Sequence, residues 1–145
     1  MQRNVPILLV EDDENDTCFL RRAFARSGLG NSLIAVQDGQ EAVDYLAGIG
    51  PYADRASHPL PGLILLDLKM PRMNGCDVLV WLSTRPDFKE LPVVVLSSST
   101  LDSDIQRARE LGADDYQVKP QEFERWVDIV RNLHSRWLEG ESKAS

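Results

Sequence analysis

The chain has 145 residues, of which 43% are hydrophobic and 27% are charged, as is ordinary for one globular domain. Its net charge is −7 and it has no basic run, which argues against nucleic-acid binding. The apolar runs are far shorter than the roughly 20 residues of a membrane helix, and the N-terminus lacks a signal-peptide pattern. We therefore expect a cytoplasmic protein without a membrane span, in which Cys18 and Cys76 are reduced.

Apolar runs of strand length alternate with segments of helical spacing along the chain. The runs that predict strands are residues 7–10, 33–36, 63–66, 92–96 and 115–118. A helical pattern follows each run, and the last helix is expected from about Gln121 to Leu138. This alternation predicts a three-layer α/β domain with a five-stranded parallel sheet and five helices. We expect one domain over residues 1–138 and a polar tail over 139–145.

A strand order of 2-1-3-4-5 is expected, because it places the first and third strands at the centre with a switch point between them. The segment from Gly48 to Gly62 contains three prolines and three glycines, which exclude regular structure there. It is too short to link two domains, so it predicts a long loop within one domain.

Polar residues follow the strands of the predicted sheet. They are Glu11, Asp12 and Asp13 after the first strand, Asp67 after the third, Ser97 after the fourth and Lys119 after the fifth. Because the carboxyl ends of parallel strands meet at one edge, we expect these side chains to converge. Clustered carboxylates repel one another unless a cation neutralises them, and Mg²⁺ suits a site that also takes phosphate oxygens. With a lysine and a hydroxyl, the set fits phosphoryl transfer to a carboxylate.

Each of these residues also has an ordinary structural interpretation. Acids after a strand often begin a helix, where the macrodipole favours them. A serine run can solvate a loop or cradle a nucleotide phosphate, and a lysine before a proline is commonly on the surface. Their joint occurrence at successive strand ends favours a functional site.

These residues together carry a resemblance to a known family. Glu11-Asp12, Asp67 with Met70-Pro71 and Asn74-Gly75, Ser97, and Lys119-Pro120 resemble the receiver domain of two-component response regulators, over roughly Val5 to Trp137. The resemblance implies a flavodoxin-like receiver fold. It also implies that Asp67 accepts a phosphoryl group from the phosphohistidine of a sensor histidine kinase. Such a protein is a signalling phosphoacceptor that catalyses only its own phosphorylation and dephosphorylation, not an enzyme with another substrate.

The resemblance also implies the metal ligands. Mg²⁺ would be bound by Asp12, Asp67 and the backbone carbonyl of Lys69, and Glu11 would hold a metal-bound water. Asp13 comes directly after the acidic pair and is expected beside the site without touching the metal.

On the other side of Asp67, the resemblance implies that Lys119 contacts the phosphoryl oxygens and that the Lys119–Pro120 peptide bond is cis. Ser97 and Tyr116 would be the switch pair, in which the hydroxyl moves to the phosphoryl group and the ring turns inward. Phosphorylation would thereby reshape the surface of the fourth helix, fifth strand and fifth helix.

A narrower resemblance rests on the long Gly48–Gly62 loop and on Trp137-Leu138-Glu139 at the end of the last helix. These features are similar to the stand-alone regulators that are paired with bacterial phytochromes and related sensor kinases. The expected partner is therefore a histidine kinase, with phytochrome signalling as the specific hypothesis.

The last helix carries a wide apolar stripe, made of Phe123, Trp126, Val127, Ile129, Val130, Leu133, Trp137 and Leu138. A helix that faces one core needs a stripe of only about 100°. The excess suggests an isologous homodimer, with Trp126, Ile129, Leu133 and Trp137 at its interface. The alternative is a wide core stripe with one exposed tryptophan.

Other functions use similar residues. A phosphatase of the haloacid-dehalogenase type combines an aspartate nucleophile with Mg²⁺, Ser or Thr, and Lys, but Lys69 stands here where its second aspartate would be needed. A flavin carrier is a further alternative, although the acidic strand ends would repel the flavin phosphate. A receiver-like binding module that is never phosphorylated is the last.

Overall fold

The computed structural model describes residues 5–138, which form alternating strands and helices. The strands are β1 (Ile7–Val10), β2 (Leu33–Val36), β3 (Leu63–Leu66), β4 (Val93–Ser97) and β5 (Asp115–Val118). The helices are α1 (Glu14–Arg26), α2 (Gly39–Ala47), α3 (Gly75–Ser83), α4 (Asp102–Glu110) and α5 (Phe123–Leu133). Short 3-10 turns lie at Gly50–Tyr52 and Pro86–Phe88. None of the helices in residues 5–138 has the length and apolar character needed to cross a membrane.

The five strands form one parallel sheet in the order β2-β1-β3-β4-β5, which confirms the predicted fold. β1, β3 and β4 are buried along their whole length because helices cover both faces of the sheet. β2 and β5 lie at the edges and are only partly buried. β1 and β3 pair in register, Val10 beside Leu66, so the residues that follow them emerge side by side.

The sheet separates two hydrophobic cores. One core joins the sheet to α2, α3 and α4, and it includes Tyr45, Leu79 and Tyr116. The other joins the sheet to α1 and α5, and it includes Phe24 and Trp126. One face of each central strand therefore packs toward α2, α3 and α4, and the other face packs toward α1 and α5.

Most of the apolar stripe of the last helix is buried within its own chain. α5 continues into one π-helical turn at His134–Leu138 and packs against α1. Trp126 is 2% exposed and Leu133 is 1% exposed, so both lie in the core and are unavailable to a partner subunit. The expectation that these two residues form a dimer surface was wrong, because a helix placed between a sheet and another helix needs a wide stripe. Ile129 and Trp137 are only partly buried.

Two further expectations concern the Gly48–Gly62 segment and the polar tail. The Gly48–Gly62 segment is a loop as predicted, apart from its single 3-10 turn. The polar tail predicted for residues 139–145 lies outside the described residues.

Candidate functional site

Three carboxylates meet at the carboxyl edge of the central strands. Glu11 and Asp12 follow β1, and Asp67 follows β3, so the parallel register brings them together. One oxygen of each lies within 4.8 Å of the others. Glu11 and Asp67 are buried, whereas Asp12 is exposed. Oxygen ligands at this spacing, with one of them open to solvent, fit a hard divalent cation that keeps water in part of its shell.

Lys119 closes the other side of this cluster. Its Nζ lies 2.7 Å from Glu11 Oε1, 2.8 Å from Asp16 Oδ2 and 3.5 Å from Asp67 Oδ2. The backbone fixes this position, since Lys119 N donates to the carbonyl oxygen of Ser97 at 2.8 Å. The side chain is 12% exposed, so these ion pairs are largely shielded from water.

Asp16 is a member of the site that the sequence analysis did not identify. It lies in the first turn of α1, and Asp13 is the N-cap of that helix. The Asp13 side chain accepts hydrogen bonds from Asn15 N at 2.8 Å and Asp16 N at 3.4 Å. Asp13 thus caps the helix whose first turn carries Asp16. The spacing in the sequence could have predicted this residue. Asp16 comes three residues after Asp13, which is almost one helical turn, so it lies on the side of α1 that faces the strand ends.

The electrostatics of the cluster show unbalanced negative charge. Burial raises the pKa of Glu11 to about 7, and the charge of Asp67 adds to this rise while Lys119 opposes it. Burial likewise raises the pKa of Asp67, against the opposing effect of Lys119. Burial alone would lower the pKa of Lys119, but its hydrogen bonds to Asp16 and Glu11 raise it instead. One ammonium does not neutralise this set, so the residues fit a cation at the acidic side.

The loop between β3 and α3 is packed tightly around Asp67. Gly75 N donates to the Leu68 carbonyl oxygen at 3.1 Å, and a Cβ atom on Gly75 would collide with the Asp67 carbonyl oxygen. Lys69 N approaches Asp67 Oδ1 at 3.4 Å. The loop therefore holds the backbone of Lys69, the expected carbonyl ligand, close to Asp67.

Ser97 and Tyr116 meet through a residue between them. Ser97 is 1% exposed, and its Oγ accepts a hydrogen bond from Ser99 N at 3.2 Å. Tyr116 is 8% exposed, and its hydroxyl donates to the Ser99 carbonyl oxygen at 2.9 Å. The ring already points inward, and Ser99 connects it to the serine hydroxyl. The sequence shows Ser99 only as a member of a serine run.

The expected cis bond is not found. Residues 5–138 contain no cis peptide bond, so the expectation for Lys119–Pro120 was wrong. The trans form is the ordinary preference of a bond before proline.

Comparison with known proteins gives a consistent result. A family model described as the response regulator receiver domain matches residues 7–131. Response regulator Rcp1 of Synechocystis sp. is 35% identical over 133 residues, which are 92% of this chain and 88% of Rcp1.

Solved structures agree with the sequence match. The phosphorylated cyanobacterial phytochrome response regulator RcpA is 35% identical with a TM-score of 0.84, and the match covers 93% of this chain and 94% of that one. The response regulator RPA3017 in red light signalling of R. palustris is 34% identical with a TM-score of 0.89, and the match covers 94% of this chain and 96% of that one. The Mn²⁺-bound form of Rcp1 is also 34% identical, with a TM-score of 0.82, and the match covers 94% of this chain and 96% of that one.

Proposed function

We infer that this chain, which belongs to the family of response regulator receiver domains and so acts in two-component signal transduction, accepts a phosphoryl group on Asp67. The donor is the phosphohistidine of a sensor histidine kinase. The observation that carries this inference is the place of Asp67 between two acidic side chains and the Lys119 ammonium, 3.5 Å away. Nothing in the comparisons favours the alternative of a haloacid-dehalogenase-type phosphatase.

Asp67 and Lys119 have different roles in the transfer of the phosphoryl group. An Asp67 carboxylate oxygen forms a bond to phosphorus as the P–N bond of the donor breaks, and the bonding electron pair returns to the imidazole nitrogen. Lys119 supplies positive charge beside the incoming phosphoryl oxygens. Its ion pairs with Glu11 and Asp16 hold the ammonium in place before the donor arrives.

Receiver domains bind a divalent metal, and we propose Mg²⁺ for this site. Asp12, Asp67 and the Lys69 carbonyl would be its protein ligands, with Glu11 acting through a bound water. The ion would neutralise charge on the phosphoryl oxygens. The clustered carboxylates and the raised pKa of Glu11 support this assignment.

The proposed switch is built on Ser97 and Tyr116. Movement of the Ser97 hydroxyl toward a phosphoryl group on Asp67 would break its hydrogen bond with Ser99 N. Ser99 also carries the acceptor of the Tyr116 hydroxyl, so the change reaches the surface of α4 and β5. Phosphorylation would in this way alter a protein-contact surface.

We propose a phytochrome-type histidine kinase as the partner. This rests on the likeness to RcpA, a phytochrome response regulator, and to RPA3017, a response regulator in red light signalling. We also propose one receiver domain over residues 1–138, followed by the polar tail 139–145.

A homodimer through the last helix is also proposed. Ile129 and Trp137 remain partly exposed to solvent, and Val118 on strand β5 is 40% exposed. These three residues replace the four-residue interface that the stripe alone predicted.

The test of the proposed function is phosphorylation by acetyl phosphate, read by intact mass with and without Mg²⁺. Wild type should gain one phosphoryl group only when Mg²⁺ is present, and Asp67→Asn should gain none. Asp87→Asn, an exposed carboxylate outside the cluster, is the matched control and should behave as wild type. Wild type without labelling, or Asp67→Asn labelled equally, would refute the proposal. Turnover of an aryl phosphate would instead revive the phosphatase.

A further inference from the structure

The loop from Gly48 to Gly62 is held by specific contacts with α2. Arg55 donates to the carbonyl oxygens of Tyr45 at 2.8 Å and Leu46 at 2.6 Å, at the end of that helix. The hydroxyl of Tyr45 donates to the Pro59 carbonyl oxygen at 2.7 Å. These hydrogen bonds hold the loop against α2.

One contact of the loop leads toward the site. The hydroxyl of Tyr52 donates to Glu41 Oε2 at 3.0 Å. The other oxygen of Glu41 accepts a hydrogen bond from Gln37 N at 3.2 Å. Tyr52 thus fixes a carboxylate that holds the turn between β2 and α2, at the same edge of the sheet as Asp67.

That turn holds the loop between β3 and α3 at two points. Arg72 Nε and Nη2 both donate to Asp38 Oδ2, at 3.0 and 2.7 Å. Gly39 N donates to the Met73 carbonyl oxygen at 2.9 Å, and a Cβ atom on Gly39 would collide with that oxygen. Asp38 is itself buried and caps α2 through Glu41 N at 2.8 Å.

The β3–α3 loop needs such support. Arg72 has a φ of 43° and Met73 a φ of 60°, so two successive side-chain-bearing residues adopt the left-handed region. This conformation is unfavourable for a residue that carries a Cβ atom. Contacts from outside the loop must offset that cost, and the loop carries the backbone of Lys69 as well as Asp67 at its start.

We propose that the Tyr52–Arg72 contact chain, formed by Tyr52, Glu41, Gln37, Asp38 and Arg72, positions the metal-binding loop. The long Gly48–Gly62 loop thereby sets the divalent-cation affinity of the site from outside it. Tyr52 and Arg72 are positioning residues, since neither touches the reacting atoms. This inference rests on the proposed function, because it concerns the Lys69 carbonyl of the same site.

Two substitutions test the chain of contacts from its ends. Tyr52→Phe removes only the hydroxyl, and Arg72→Met keeps the stem of a side chain that is 67% exposed. We expect Mg²⁺ binding, measured by calorimetry, to weaken about tenfold in Arg72→Met and about threefold in Tyr52→Phe. The double variant should lose less than the product of the two effects, because both act through one chain.

Matched controls separate positioning from general loosening. Tyr45→Phe removes a hydroxyl that also ties the loop, yet that bond ends on Pro59 and not on Glu41. Arg26→Met removes a surface ion pair with Glu124 that is remote from the loop. Both controls should bind Mg²⁺ as wild type does.

A second readout needs no metal. In metal-free protein, the backbone amides of residues 68–70 and 72–75 should exchange with solvent faster in Tyr52→Phe and Arg72→Met than in the two controls. Equal exchange and equal Mg²⁺ affinity in Tyr52→Phe and Tyr45→Phe would overturn the inference. Wild type that fails to bind Mg²⁺ would refute the proposed metal site and the inference together. Normal wild-type binding with unchanged variants would refute the inference alone.

Discussion

Lys119 Nζ lies 2.7 Å from Glu11 Oε1, and both side chains are almost closed to solvent. This pair places a fixed positive charge beside Asp67 before any phosphoryl group arrives. It also leaves the cluster with more carboxylates than ammonium groups, and that imbalance determines how the site responds to pH, substitution and metal.

The first prediction concerns pH. Burial raises the pKa of folded Glu11 to about 7 from 4.5, so between these values the folded metal-free protein binds more protons than the unfolded chain. Its free energy of unfolding should therefore fall as the pH rises from about 4.5 to about 7, and this contribution should be constant above that range. Urea unfolding in the presence of a chelator would measure it. Glu11→Gln should reduce this slope, of which the raised pKa of Asp67 supplies another part. Glu14→Gln, on the exposed start of α1, should keep the slope unchanged, and equal slopes in all three proteins would contradict the prediction.

The second prediction concerns Lys119→Met. Removing the ammonium leaves Glu11, Asp16 and Asp67 without their shared cation, and breaking a buried pair in this way costs about 3 kcal/mol of unfolding free energy. Saturating Mg²⁺ should recover part of that loss. Lys89→Met, at an exposed lysine, is the control for denaturation by urea. A loss as small as that of the control would show that Lys119 does not neutralise the cluster.

Glycine at position 75 gives the third prediction. Gly75→Ala should destabilise the protein by about 2 kcal/mol and weaken Mg²⁺ binding, because the new Cβ atom would push the backbone of Asp67. Gly28→Ala is the comparison, since Gly28 has a φ of 71° but open space around it, so it should lose about 1 kcal/mol and keep its Mg²⁺ affinity. Thermal unfolding and calorimetry would distinguish the two. Unchanged Mg²⁺ affinity in Gly75→Ala would argue against this steric role.

The fourth prediction concerns the proposed dimer. Sedimentation should show a wild-type dimer at about 50 µM, an ordinary concentration for a micromolar interface, and a monomer for Ile129→Glu. Val80→Glu places the same charge on an α3 residue that is 47% exposed and should remain dimeric. A wild-type protein that is monomeric at this concentration would refute the proposed interface, including the role of Trp137 in it.

The strands and the central acids could be predicted because each depends on a local pattern and one rule of topology. A continuous apolar run marks a strand buried on both faces, and Asp67 then emerges beside Asp12 wherever β1 and β3 pair in register. Lys119 follows from the same rule applied to β5. This much needs no knowledge of side-chain contacts.

The remaining features depend on contacts between segments that are distant in sequence. Arg72 and Asp38 lie in different loops, and neither position has a periodicity that would predict their ion pair. The left-handed conformation at Arg72 and Met73 is equally invisible, because neither residue is a glycine. The sequence shows correctly that the apolar stripe on α5 is wide. Its width does not reveal whether the part of the stripe that faces away from the sheet is covered by α1 or by another subunit.

The packing of α1 against α5 joins an early part of the chain to a late one. Phe19 stacks on Trp126 with ring centroids 6.1 Å apart, and the Arg22 guanidinium lies 4.9 Å from the centre of the Phe123 ring. During synthesis, these two contacts cannot form until α5 has left the ribosome. The part of α1 that α5 covers, at Phe19 and Arg22, therefore stays exposed on the nascent chain until the end of translation.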